Sequence, residues 1–307
     1  VASARGSKHC AWRSSGGPRI ASDRCRGDGR KMLLLLSLLA ADSAASSAPP
    51  LAATLGVWPL PASLSCTPPA GHAAAAGFAA DLKIRAARQS AIVSGSAERY
   101  LGALRGDAGA TGQVHTITVA VADMNETLAA STDYSYTVSL NDGAGALTIT
   151  AASPFAVAYA LETLAQLVHS AGGGGRLPCR ALAVADYPTF SHRGLLVDAG
   201  RRFYPVNLMR RLLDGMAASK MNVLHFHLSE QCFRVESKVF PALTKRCAFK
   251  YPNDTSSAPA IYSQRDIATL VQYAKVRGIR IIPEFDMPGH SGALCASLAD
   301  AGLICCG

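Results

Sequence analysis

The run Ile282-Pro283-Glu284-Phe285-Asp286-Met287-Pro288-Gly289-His290 sets two carboxylates and an imidazole within a few residues of each other, directly behind the apolar stretch Ile279-Arg280-Ile281-Ile282. Carboxyl and imidazole groups hold and transfer protons near neutral pH. Two similar gatherings lie upstream. Asp198, Arg201 and Arg202 follow Gly194-Leu195-Leu196-Val197, while His225, His227 and Glu230 lie in and just after Met221-Asn222-Val223-Leu224-His225-Phe226-His227-Leu228. Each gathering closes an apolar, β-prone run, so the elements that carry those runs decide whether the groups meet.

From Phe190 onward these elements alternate. The three apolar runs read as strands. Between the first two, Pro205 opens a helix whose stripe is Met209, Leu212, Leu213 and Met216. Between the last two, Ser263 starts a helix with Asp266 at the capping-box position, Ile267, Leu270, Val271 and Ala274 as its stripe, and Gly278 at its end. Strands separated by helices form a parallel sheet, and the C-terminal strand ends are where a (β/α)8 barrel builds its site. Three strands do not close such a barrel, which takes about 250 residues. The expected class is therefore α/β, with the first three or so βα units of a TIM barrel, left incomplete, over residues 186–307. His225 and His227 share one face of their strand. No third ligand has apt spacing, so they are expected to line or fill the barrel and no metal is expected.

The preceding segment has a different texture. Val114–Val121, Tyr134–Leu140 and Leu147–Ala151 read as strands, and Asn141-Asp142-Gly143 turns the last two into a hairpin. Ser153 can cap a helix with Pro154 at its first position and Phe155, Tyr159, Leu161, Leu164, Leu167 and Val168 on its apolar face, and Gly172–Gly175 end it. Residues 81–185 thus form a small α+β domain with one sheet face covered. Residues 49–80 are Ala/Pro-rich and read as a linker with little fixed structure.

Residues 1–48 read as a basic leader joined to a secretory-signal-like stretch. The net charge is +9, and eight Lys/Arg against two Asp in the first 31 residues supply +6 of it. The apolar run from Met32 to Ala41 is shorter than the ~20 residues that span a bilayer, and its basic flank suits a signal. The remaining chain has no basic stripe interleaved with aromatics, which argues against nucleic acid as a partner. Hydrophobic content of 49% against 17% charged residues fits a folded chain. Nine cysteines include no CxxC pair. Cys232 and Cys247 can bridge one loop in an oxidising compartment or remain free thiols. Asn125-Glu126-Thr127 and Asn253-Asp254-Thr255 are N-glycan acceptor sequons.

Taken in order, three motifs resemble glycoside hydrolase family 20, the β-N-acetylhexosaminidases: Arg193-Gly194-Leu195-Leu196-Val197-Asp198, Lys220-Met221-Asn222-Val223-Leu224-His225-Phe226-His227-Leu228, and Pro283-Glu284-Phe285-Asp286-Met287-Pro288-Gly289-His290. Glu236-Ser237-Lys238-Val239-Phe240-Pro241 also fits. The resemblance covers roughly 185–294, and more loosely 81–185, where the family carries a small α+β domain.

The resemblance implies removal of terminal, non-reducing β-linked N-acetylglucosamine or N-acetylgalactosamine from oligosaccharides and glycoconjugates. The retaining mechanism is substrate-assisted, with the acetamido oxygen as nucleophile, and such enzymes stand outside the usual two-carboxylate scheme. It implies no cofactor, a location in the secretory pathway, lysosome, vacuole or outside the cell, and a homodimer for the full-length protein. By resemblance, Arg193 grips ring hydroxyls, as a guanidinium fork can; His290 lies near the catalytic carboxylate; and Glu284 and Asp286 orient His290 and Arg193. Glu230 stands where the family has the first of two acids, in a loop that is one residue short. Asp198 and His227 are expected in support. The family's general acid belongs to an Asp-Glu pair on the fourth strand, and this sequence contains no Asp-Glu dipeptide. No catalytic residue is therefore identified, and the chain reads as an incomplete copy of a hydrolase. The alternative is a truncated, catalytically dead carbohydrate-binding protein.

Overall fold

The computed structural model describes residues 51–69, 75–108, 112–143, 145–230, 232–245 and 259–299. The expected leader (1–48), Asn253 and Cys247 lie outside the described residues. A short helix, α1 (Leu51–Thr54), precedes β1 (Ser63–Thr67), β2 (Phe78–Ala86), α2 (Ala91–Leu104), β3 (Val114–Val121), β4 (Tyr136–Leu140), β5 (Ala146–Ala151), α3 (Pro154–Ser170) and β6 (Ala181–Asp186). The six strands form one mixed sheet in the order β1-β6-β4-β5-β3-β2.

Strands β4 and β5 bury every second residue, the mark of a sheet covered on one face. Helices α2 and α3 supply that cover. Phe155, Leu161, Leu164 and Leu167 of α3 pack with Ile117, Leu147 and Ile149 of the sheet, all fully buried, each such side chain contributing about 1.5–3 kcal/mol. Ser153 occupies the N-cap of α3, but its side chain makes no cap bond; its hydroxyl donates instead to the Asp133 carbonyl. The cap of α2 is built differently: Ser90 Oγ accepts from Val93 N–H, and Glu126 accepts from both Ser90 Oγ and Ala91 N–H.

The stretch expected to be a linker is partly ordered structure. Strand β1 pairs antiparallel with β6, and a disulfide joins Cys66 to Cys179 with a Cα separation of 5.3 Å. Edge strand β2 and helix α2 also lay outside the three strands and one helix read from the sequence.

A second sheet is wholly parallel: β7 (Gly194–Asp198), β8 (Val223–His227) and β9 (Arg280–Glu284), in that order. Helix α4 (Val206–Ala218) connects the first pair. The short α5 (Ala242–Lys245) and then α6 (Gln264–Lys275) connect the second, and α7 (Gly292–Ala299) follows. Met209, Leu213 and Met216 of α4 and Leu270 and Ala274 of α6 bury against Leu224 and Phe226. Phe226 faces the helices, as a strand alternation with both histidines on the other face requires. The α6 capping box is complete: Ser263 accepts from Asp266 N–H, and Asp266 accepts from Ser263 N–H. Val271, counted in the apolar stripe from sequence, is 41% exposed. On the opposite sheet face Leu196 is 53% and Ile282 38% exposed.

The mixed sheet and the parallel sheet are tied by a buried polar cluster. Lys220 Nζ donates to the Tyr136 hydroxyl, the Thr163 hydroxyl and the Asp186 carboxylate at 2.8–2.9 Å. Tyr159 donates to the Lys220 carbonyl, and Tyr134 to the Gly278 carbonyl. Burial raises the pKa of Tyr134, Tyr136 and Tyr159, so all three remain neutral phenols that can donate.

Candidate functional site

Parallel pairing sets Asp198, His227 and Glu284 side by side at the C-terminal ends of β7, β8 and β9. One row back, Leu196, His225 and Ile282 are neighbours on the same face. The loops then fold over this edge. A Cβ on Gly200 would lie 2.8 Å from the Ser229 carbonyl carbon, so only glycine lets the loop after β7 press on the loop after β8. Arg201 is thereby set beside Glu230.

Arg201 is the centre of the charged arrangement. Its Nη1 donates to Asp198 at 2.8 Å, its Nη2 donates to Glu230 at 2.9 Å, and its Nε also contacts Glu230. Asp198 further accepts the Arg201 backbone N–H. The Glu230 hydrogen bond, ahead of the Asp198 charge, moves Arg201 further above the ordinary arginine range. The Arg201 side chain is 54% exposed, so it is fixed by two acids and still reachable from solvent.

The remaining acids each face a histidine. Glu284 contacts His225 Nε2 at 2.5 Å, and Asp286 contacts His290 Nδ1 at 2.8 Å. Asp286 is held from the other side, its backbone N–H donating to Ser229 Oγ. His290 adopts a φ of +50°, unusual for a non-glycine residue. His227 is buried. Its Nδ1 lies 3.5 Å from Asp198, and its Nε2 has no hydrogen-bond partner among the described residues. A ring nitrogen of His227 and carboxylate oxygens of Glu284 and Asp286 lie within 4.8 Å of one another, a combination of metal-ligand types.

The structure therefore brings together Asp198, His227, Glu230, Glu284, Asp286 and His290. Arg193 is not among them. It precedes β7, at the opposite end of the strands, and its guanidinium is committed there. Nε donates to the Lys220 carbonyl, Nη1 to the Phe190 carbonyl and Nη2 to the Tyr159 hydroxyl, and the group lies over the Tyr134 and Tyr159 rings. Neither Glu284 nor Asp286 orients it. Arg201 lies with the acids instead, and strand direction is the signal: a residue before a parallel strand lies at its N-terminal end, one after it at its C-terminal end.

Arg234 was also missed. It is fully buried and donates to the carbonyls of Ala199 and Ala260, bracing the β7 loop from beneath. Among the sequons, Asn125 is exposed, its side-chain oxygen accepting from Thr127 N–H. Cys232 is disulfide-bonded.

Residues 190–305 match the family model for glycosyl hydrolase family 20, catalytic domain. A beta-hexosaminidase of Emericella nidulans is 40% identical over 181 residues, covering 59% of this chain and 29% of that protein. The beta-hexosaminidase subunit beta of Homo sapiens is 31% identical over 277 residues, covering 85% of this chain and 48% of that protein. Among solved structures, the Flavobacterium johnsoniae chitobiase aligns with a TM-score of 0.64 at 28% identity, over 80% of this chain and 36% of that one. A Streptomyces plicatus beta-hexosaminidase variant in complex with product GlcNAc shares the fold, with a TM-score of 0.59 at 23% identity, over 80% and 48% of the two chains. The chain spans less than half the length of these relatives.

Proposed function

We propose that this chain is a member of glycoside hydrolase family 20 and that its β7–β9 strand ends form the amino-sugar pocket of a β-N-acetylhexosaminidase. The pocket takes a terminal, non-reducing N-acetylglucosamine or N-acetylgalactosamine. One observation carries the reading: Arg201 is clamped between Asp198 and Glu230 with its side chain half exposed. Fixed by the acids, its remaining N–H groups suit two neighbouring ring hydroxyls. His290, held by Asp286, lies with its ring 6.2 Å from that of His227 at the strand ends.

The reaction is the substrate-assisted one, in which the acetamido oxygen attacks the anomeric carbon. That mechanism needs a proton donor whose carboxyl stays protonated at working pH. Each acid at the strand ends is instead set against a basic partner: Asp198 and Glu230 against Arg201, Glu284 against His225, and Asp286 against His290. Every one of these acids is engaged by a basic side chain, so the role we assign to these strand ends is to hold the sugar, not to donate the proton. The disulfide Cys66–Cys179 and the exposed Asn125 sequon support a secretory-pathway protein. No helix of the described residues is long and apolar enough to cross a membrane.

Calorimetric titration of the purified chain with N-acetylglucosamine, and with glucose as the partner lacking the acetamido group, tests the reading. Binding of the first and not the second is expected. Arg201→Ala should weaken it about 10- to 100-fold, the loss of charged hydrogen bonds. No binding sinks the pocket assignment. Turnover of a chromogenic N-acetylglucosaminide by the chain sinks the statement about the acid.

A further inference from the structure

We infer that His227, Glu284 and Asp286 form a binding site for a divalent cation of the zinc type, at the floor of the same strand ends. The inference goes beyond the sugar reading and does not depend on it.

The argument starts from His227 Nε2. The side chain is 8% exposed, and Nε2 is buried without a hydrogen-bond partner among the described residues. A buried polar atom without a partner costs about 1–3 kcal/mol. The other ring nitrogen, Nδ1, faces the Asp198 carboxylate at 3.5 Å. With the carboxylate on the Nδ1 side, the tautomer protonated at Nδ1 is the one it favours, and Nε2 then offers its lone pair. A carboxylate behind a histidine is the device that orients a metal-ligating imidazole and raises its basicity.

The two other groups are oriented in the same fashion. Glu284 places one oxygen 2.5 Å from His225 Nε2, and Asp286 places Oδ2 2.8 Å from His290 Nδ1. Among the described residues the second oxygen of each carboxylate makes no hydrogen bond. Asp286 is also anchored through its backbone to Ser229 Oγ. A ring nitrogen of His227 and one oxygen from each acid converge within 4.8 Å. A nitrogen lone pair and two carboxylate oxygens gathered in a half-buried space would each be stabilised by a cation placed between them.

The donor set selects the cation. Zinc accepts imidazole nitrogen and carboxylate oxygen, and three protein ligands leave a fourth position for water. Magnesium and calcium prefer oxygen-only shells. Zinc here would occupy the floor of the amino-sugar pocket.

The test is calorimetric titration of zinc into the full chain after chelator treatment, with magnesium as comparison. One zinc site per chain is expected, and no comparable heat from magnesium. His227→Ala and Asp286→Asn should each weaken zinc by more than about tenfold, and Asp198→Asn by about 10- to 100-fold through the oriented imidazole. Circular dichroism checks the fold, and Asp286→Asn, which preserves side-chain size, carries the test if His227→Ala unfolds. Cobalt in place of zinc should show no thiolate charge-transfer band. Absence of zinc binding, affinity unchanged in both ligand variants, or a thiolate band each overturns the site. Loss of zinc binding with N-acetylglucosamine binding intact sinks this inference alone, and the opposite pattern sinks only the sugar reading.

Discussion

Replacing Lys220 with methionine should cost roughly 3 kcal/mol of stability. The Lys220 and Asp186 side chains are 6% and 12% exposed, and their ion pair spans 2.9 Å between the two sheets. Methionine fills the space of the aliphatic stem but removes the cation. Removing one partner of a buried pair costs about 3–5 kcal/mol, because the other charge stays buried and uncompensated. Asp186 keeps two donors, the Tyr136 hydroxyl at 2.9 Å and Ala62 N–H at 3.2 Å, which places the loss at the low end. The double variant Lys220→Met, Asp186→Asn removes both charges and should recover most of the loss.

The pH dependence gives an independent reading. Burial pulls the Lys220 pKa below the ordinary lysine value of 10.5, with Asp186 opposing. The unfolded chain therefore holds this proton to higher pH than the folded one. Where the unfolded state binds more protons, stability rises with pH. Lys220 accordingly contributes a stability increase as pH climbs toward 10.5, and the difference between wild type and Lys220→Met isolates it from the tyrosines. Urea titrations of the two single variants and the double variant, at neutral and alkaline pH, measure both effects. A single-variant cost below about 1 kcal/mol, or costs that simply add in the double variant, would refute the buried-pair argument.

Other perturbations reach different parts of the molecule. Cys66→Ser with Cys179→Ser opens a loop of 113 residues and should lower stability by about 4–5 kcal/mol; thermal melting with and without reductant checks it, and hydrogen exchange should rise first in β1. Gly200→Ala places a methyl 2.8 Å from the Ser229 backbone. It should separate Arg201 from Glu230 and weaken N-acetylglucosamine binding while helix content stays constant, as calorimetry and circular dichroism can record. Phe226→Ala, at a site 1% exposed and edge-on to Tyr262, should cost about 3–5 kcal/mol in urea titration.

What the sequence disclosed follows from how local each signal is. The hairpin around Asn141-Asp142-Gly143, helix α3 and the α6 capping box were legible because turn residues, an N-terminal proline and a Ser-x-x-Asp box act over a few residues. Strand β1 was not. Its residues, Ser63-Leu64-Ser65-Cys66-Thr67, sit in a Pro/Ala-rich stretch, and their pairing with β6 and the bridge to Cys179 come from the far end of the same unit. Edge strand β2 was hidden by its alanines and charges, which carry little β-propensity of their own. Its order comes from pairing with β3.

The candidate site divides along the same line. The acids and histidines were legible by type, because three strands in parallel register must bring their C-terminal ends together. The two arginines are told apart by strand direction. Arg193 and Arg201 flank the five-residue strand β7, so they lie at opposite ends of it. The first meets carbonyls and tyrosine rings, and the second meets two carboxylates. The same test applies to any charged residue in a βα unit: its side of the strand fixes whether its charge is used in holding the sheet or offered to a ligand.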